Sequence, residues 1–101
     1  MVSLKISEFD WDDGNRTKCQ KHGVRIEEIE YMLIADSTKI IDDIVHSDIE
    51  KRYIAVGQTD KKRWLFVAYT FRVSKGLVLI RPISARYMHK KEVIAYEKET
   101  T

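Results

Sequence analysis

The chain has one cysteine in 101 residues, so it can form no internal disulfide and offers no thiolate pair to a metal. A lone cysteine fits a reducing cytoplasm. There is also one proline, Pro82. It cannot donate to a β-ladder, which places the end of its strand at a sheet edge or a bulge. The four glycines are scattered, and none builds a Gly-rich phosphate loop or a nucleophile elbow. No stretch approaches the roughly eighteen apolar residues that a membrane span needs. The opening MVSLKISEFDWDD lacks an apolar signal region and soon turns acidic, so no secretory signal is expected. These absences leave a soluble cytoplasmic protein as the expectation.

What is present suits one domain over residues 1–101. A hydrophobic fraction of 44% is enough for a single core at this length. The net charge of +2 hides an asymmetry. Residues 1–50 hold six Lys/Arg against twelve Asp/Glu, and residues 51–101 hold twelve against four, giving −6 and +8. Such a division points to nucleic acid or an oppositely charged partner, or else to two halves that attract each other.

The chain in order reads as α+β: two N-terminal helices, an antiparallel meander of about four strands, and a C-terminal helix. Leu4–Phe9 alternates as a short strand. Asp10 to Asn15 favours a turn and an N-cap at Asp12 or Asp13, with a helix to His22 that Gly23 ends. Lys18 and His22 share a face of that helix at i, i+4. Ile26, Ile29, Met32 and Leu33 form one stripe of a second helix over Ile26–Ala35. Strands are expected at Lys39–Ile44, Arg52–Thr59, Arg63–Arg72 and Leu77–Ala85. Short turns join the last three. The Arg63–Arg72 strand is apolar on both faces and belongs inside the sheet. Leu77–Ile80 reads as buried too, and the chain is expected to pass directly into a helix over 87–98 with Ser84 as its N-cap.

Several side-chain groups invite a chemical reading. Asp42, Asp43, His46, Asp48 and Glu50 match no known metal-ligand spacing and read as an exposed acidic loop, so no metal or cofactor is expected. Cys19 has basic neighbours, Lys18 and Lys21, that would lower its pKa, but no base partner. The arginines carry more. Arg52, Arg63, Arg72 and Arg81 lie in strands or at strand ends and Arg86 at the strand-to-helix junction, among Tyr53, Trp64, Tyr69 and Tyr87. A planar guanidinium suits phosphate, and aromatic rings suit stacked bases. An anion-binding face for RNA is one reading. The other is that these arginines frame the sheet and pair with acids of the N-terminal half.

The motifs Phe9-x-Trp11-Asp12-x-Gly14-Asn15 and Lys21-His22-Gly23-Val24, followed by Glu27-Glu28-Ile29-Glu30, open a pattern that runs along almost the whole chain. It continues through Asp42-Asp43, His46-Ser47, Glu50-x-Arg52-Tyr53-Ile54-Ala55-Val56-Gly57-x-Thr59 and Arg63-x-Leu65-Phe66-Val67. It closes on Arg81-Pro82-Ile83-Ser84-Ala85-Arg86 with Glu92, Tyr96 and Glu97. In this pattern the chain resembles the BrnT toxins of type II toxin–antitoxin pairs. A glycine commonly precedes the arginine at position 63, where this chain has Lys62. The resemblance implies a RelE-like fold, ribonuclease activity, and neutralisation by a BrnA-type antitoxin with a ribbon-helix-helix DNA-binding part, so that operator DNA is met through the antitoxin.

RNA cleavage without metal needs a base, a cation for the phosphorane charge and a proton donor. Arg81 and Arg86 are the expected charge stabilisers, with Arg63, Arg72, Lys90 and Tyr53 as further RNA contacts. His46 is the first candidate for base or acid and His22 the second, histidine being the side chain that titrates near neutrality. A non-catalytic module of the same fold, holding RNA or antitoxin, is the alternative.

Overall fold

The turn-forming residues at 10–15 begin a helix through reciprocal side-chain bonds. In the computed structural model, which describes residues 8–43 and 50–100, Asp12 caps α1 (Asp13–Gln20). Its carboxylate accepts from the Asn15 amide at 2.9 Å, and the Asn15 side-chain oxygen accepts from the Asp12 amide at 2.7 Å. Two helical donors that have no partner in the first turn are thereby satisfied. Asn15 Nδ2 also donates to the carbonyls of Asp10 and Pro82, both at 2.9 Å, which fastens α1 to the sheet. Gly23, at φ 85°, turns the chain into α2 (Ile26–Ile34) as expected.

The strands are β1 (Lys39–Asp42), β2 (Tyr53–Gln58), β3 (Trp64–Ser74) and β4 (Leu77–Tyr87), followed by α3 (Lys90–Thr100). All neighbours pair antiparallel in the order β1-β2-β3-β4, so the α+β meander is as the sequence indicates. The two-residue Lys75-Gly76 loop has both φ angles positive, at 52° and 77°, the twist that a tight hairpin needs. Among the described residues no helix is long and apolar enough to cross a membrane.

One face of the sheet packs against α1 and α2. Ala55, Leu65, Val67, Tyr69, Ile80 and Ala85 meet Cys19, Val24, Ile29 and Met32 there. Each such aliphatic side chain, taken fully from water, contributes about 1.5–3 kcal/mol. The opposite face carries Ile54, Phe66, Ala68, Ser84 and Arg86 in register. Pro82 lies at a bulge, as its missing amide requires. The β3–β4 register shifts between Ala68 and Tyr69, leaving Ile83 unpaired between Pro82 and Ser84. The bulge also reverses the alternation along β4. Ile80 and Pro82 point into the core before it, Ala85 points into the core after it, and Arg86 therefore stands on the open face.

Three expectations need correction. β4 does not pass into a helix at Ser84, which pairs with Ala68. The strand continues to Tyr87, and α3 begins only at Lys90. Pairing with β3 overrides the helix-forming composition of this stretch. Leu77–Ile80 is not buried throughout, because Leu77 and Val78 are 54% and 46% exposed. The β3–β4 hairpin outruns β2, whose last partner is Tyr69, so its tip has no neighbouring strand among the described residues. Cys19 is fully buried, and burial pushes its thiol up to about 11 against the opposing pull of Lys18 and Arg81. Most of the expected Leu4–Phe9 strand lies outside the described residues. Phe9 itself makes a parallel bridge to Ile80.

The turn joining β2 to β3 holds Lys62 at φ 62°, the left-handed conformation that favours glycine. A residue with a Cβ loses about 1–2 kcal/mol there. Glycine's greater freedom in the unfolded chain offsets part of that, by about 0.5–1 kcal/mol. Lys62→Gly is therefore expected to stabilise the protein by roughly 0.5–1 kcal/mol, visible as a higher Tm. An unchanged or lower Tm would show that the turn carries no such strain.

Candidate functional site

The open face of the sheet is concave. Ile41 of β1, Ile54 of β2, and Phe66 and Ala68 of β3 make an apolar floor, with a hollow of about 580 Å³ above it. Polar groups enter from three sides. Ser84 and Arg86 come from β4, Arg52 and Asp43 from the segments flanking the β1–β2 connection, and Lys18 and His22 from the last turn of α1 and its exit. The i, i+4 spacing of Lys18 and His22 sends both to the same rim. Four cationic or protonatable side chains thus surround one hollow.

Arg86 is the best-defined of them. Its guanidinium lies 4.6 Å from the centre of the Phe66 ring. It donates twice to Glu92 of α3, at 2.8 and 3.0 Å. Glu92 also accepts from the His89 amide at 2.8 Å and so caps the helix that carries it. The Arg86 hydrogen bonds, and then that amide, hold the Glu92 carboxyl down at about 2, while Glu92 raises Arg86 in turn. A carboxylate depressed in the folded state adds stability above its ordinary value of 4.5, and that contribution disappears as pH falls towards about 2. The stability difference between the protein and Glu92→Gln is therefore expected to be constant near neutrality and to shrink through that acid window. Denaturant unfolding at a series of pH values measures it, and a difference that persists at the acid end would contradict the assignment.

Arg81 sits elsewhere. It lies five residues before Arg86 in one continuous strand, roughly 15 Å away along the chain, and lines a separate hollow beside the start of α1. It donates to Asp12 at 2.8 Å and to Asp10 at 3.3 Å. Asp12 is lowered first by the Asn15 amide and then by Arg81. Arg81 and Arg86 thus do not converge on one hollow, and Arg81 takes the framing role that pairs it with N-terminal acids. Arg72 pairs with Glu50 at 3.5 Å near the hairpin tip. Tyr53 stacks on Tyr69, with ring centres 5.5 Å apart, on the helix-packed side of the sheet. Arg63 lies 3.5 Å over the Tyr87 ring, and Lys90 is exposed at the start of α3. His46 and Asp48 lie outside the described residues. Among the described residues no three His, Cys, Asp or Glu side chains come together in a group that could hold a metal ion.

Sequence reasoning missed a buried pair. Tyr87 donates its hydroxyl to Glu28 Oε1 at 2.6 Å, and Glu28 is only 4% exposed. Burial opposes its ionisation, but the Tyr87 hydroxyl and the Arg25 amide outweigh burial and leave its pKa lowered. The partners are far apart in sequence, and nothing local announces them. Lys18 was also left out of the site expected from sequence, although its shared face with His22 was legible, and Arg52 was counted only among the arginines of a general anion-binding face.

A hollow with an apolar floor and a cationic rim, on the sheet face turned away from α1 and α2, is thus the candidate site of this α+β protein. The chain belongs to the BrnT family: the model of this family, described as the ribonuclease toxin BrnT of type II toxin–antitoxin systems, matches residues 11–92. An RNA substrate and an antitoxin partner follow from that membership. A search of curated proteins finds no match to the chain.

Proposed function

We propose that this chain is a metal-independent endoribonuclease that works in the concavity on the open sheet face. The observation that carries this reading is the convergence of Arg86, Arg52, Lys18 and His22 on one hollow in a chain of the BrnT family. The bound phosphate would sit against the Arg86 N–H donors that the Glu92 pair leaves over, facing the charge that develops on its oxygens. Lys18 and Arg52 add charge from the opposite rim. His22 takes or returns the proton of the attacking 2′-hydroxyl, with His46 as the alternative group for this step. Arg81 holds the N-terminal segment on β4. Arg72 and Tyr53 lie away from the hollow and are assigned no part in cleavage.

The antitoxin is proposed to be of BrnA type, with a ribbon-helix-helix part that brings the pair to operator DNA. The charge division of the chain supports an acidic or amphipathic antitoxin segment over the basic sheet face, with an association rate that falls as salt rises. The test of activity is incubation of the purified chain with RNA in EDTA. Cleavage that His22→Gln diminishes supports the reading. Cleavage that EDTA abolishes and added metal restores removes metal independence. Binding of RNA with no cleavage under any condition leaves the non-catalytic module.

A further inference from the structure

We propose that the β2–β3 turn and the start of α3 together form a second phosphate-binding surface, a track that holds the RNA strand where it leaves the concavity. The inference rests on the ribonuclease reading for its substrate and on separate residues for its geometry. Pairing of Leu65 with Tyr87, and the Met88 amide donating to the Trp64 carbonyl at 3.0 Å, bring segment 88–91 beside segment 61–63. The Arg63 guanidinium, 3.5 Å from the Tyr87 ring centre, closes the seam between them. Lys61, Lys62, Arg63, Lys90 and Lys91 are all exposed there.

These five cations are grouped on one surface, and among the described residues no carboxylate holds any of them as the carboxylates elsewhere hold several of the arginines. Arg25, Arg72, Arg81 and Arg86 are each paired with a carboxylate. None of the five has an ion pair among the described residues. The acids nearby are Glu92, which is engaged by Arg86, Glu28, which is buried under Tyr87, and Asp60 in the turn. Lys90 and Lys91 also occupy the positive end of α3, where the helix dipole disfavours cations and favours an anion. Fold stability gives no reason for lysines at that place, and a bound phosphate does.

The chemistry favours a nucleic-acid backbone over a protein. Residues 60–63 and 89–92 expose no apolar side chain, whereas exposed apolar residues stand on β1 (Ile40, Ile41), at the hairpin tip (Val73, Leu77, Val78) and, one turn further along α3, at Ile94. Flexible lysines read phosphates as point charges without base specificity. The surface also adjoins the proposed site through α3, because Glu92, in the first turn of the helix that begins at Lys90, is the residue Arg86 holds.

The test compares the protein with a variant in which Lys61, Lys62, Lys90 and Lys91 are all replaced by glutamine, its fold checked by circular dichroism. Binding to a 2′-O-methyl RNA strand, which lacks the attacking hydroxyl, is measured over a salt series. Each phosphate contact on a single strand contributes about 0.7 to the slope of log K against log salt. Loss of four should flatten the slope by roughly two to three and weaken binding at low salt by tenfold or more. Cleavage of natural RNA should show a raised KM with kcat retained. An unchanged slope and affinity would overturn the proposal, as would unchanged RNA binding together with weakened antitoxin binding. If the unaltered protein binds RNA with this lysine-dependent slope and cleaves none, the ribonuclease reading fails and the binding surface stands.

Discussion

Arg86→Ala is expected to lower RNA cleavage by about a hundredfold or more, and to relieve growth arrest in a host expressing the toxin, while the protein stays folded. The size follows from removing one preorganised charge donor from a phosphoryl transition state. Retention of the fold follows from exposure. The Arg86 and Glu92 side chains are 42% and 32% exposed, and ion pairs this open to water are worth about 0–1 kcal/mol. Arg86→Lys keeps the charge but loses the fork that meets two oxygens at once, so it should recover only part of the activity. Cleavage assays on both variants, with circular dichroism as the check of folding, decide the matter. Undiminished cleavage by a folded Arg86→Ala protein would remove the concavity from the mechanism.

The largest expected effect on stability belongs to Gly57→Ala. Gly57 lies in β2 where α2 crosses closest, and a Cβ there would stand 2.5 Å from Thr38 Oγ1 and 3.0 Å from Met32 Cγ. Neither neighbour yields easily. Met32 is fully buried, and the Thr38 hydroxyl donates to the Met32 carbonyl at 2.6 Å, closing the last turn of α2. Overpacking a core typically costs about 1–3 kcal/mol, and a broken hydrogen bond adds about 1 kcal/mol. Gly57→Ala should therefore destabilise the protein by roughly 2–4 kcal/mol, read as a lower denaturant midpoint. A loss below about 1 kcal/mol would mean that α2 can slide away from β2 at little cost.

Much of the fold was legible because local chemistry and tertiary need agree. The Asp12/Asn15 cap, the stop at Gly23, the stripe of Ile29 and Met32, and the two apolar faces of β3 all follow from spacing alone. β4 was misread at both ends, for two different reasons. Residues 85–89 have the composition of a helix start, yet strand pairing with Leu65 and the Met88–Trp64 bond hold the chain extended. Leu77 and Val78 look like core, yet among the described residues no strand reaches far enough along β3 to cover them. The candidate site was half legible. Arginine-rich strands announced an anion-binding surface, but the choice among arginines depended on which of them meet carboxylates distant in sequence. Arg81 with Asp10 and Arg72 with Glu50 are such pairs.

The unpaired Ile83 makes β4 sensitive in an unusual way to the length of the chain, as distinct from its composition. Substituting Ile83 keeps the residue count and so keeps the bulge. Deleting one residue between Pro82 and Arg86 would remove the offset, and the strand would have to resolve a conflict. Either Arg86 would turn towards the helices, or Ile80 and Pro82 would turn to water. The same deletion in the 60–62 turn disturbs no alternation inside a strand. Mutational tolerance in this protein should accordingly be lowest for single-codon insertions and deletions around position 83, where even a conservative change of length exchanges inside for outside.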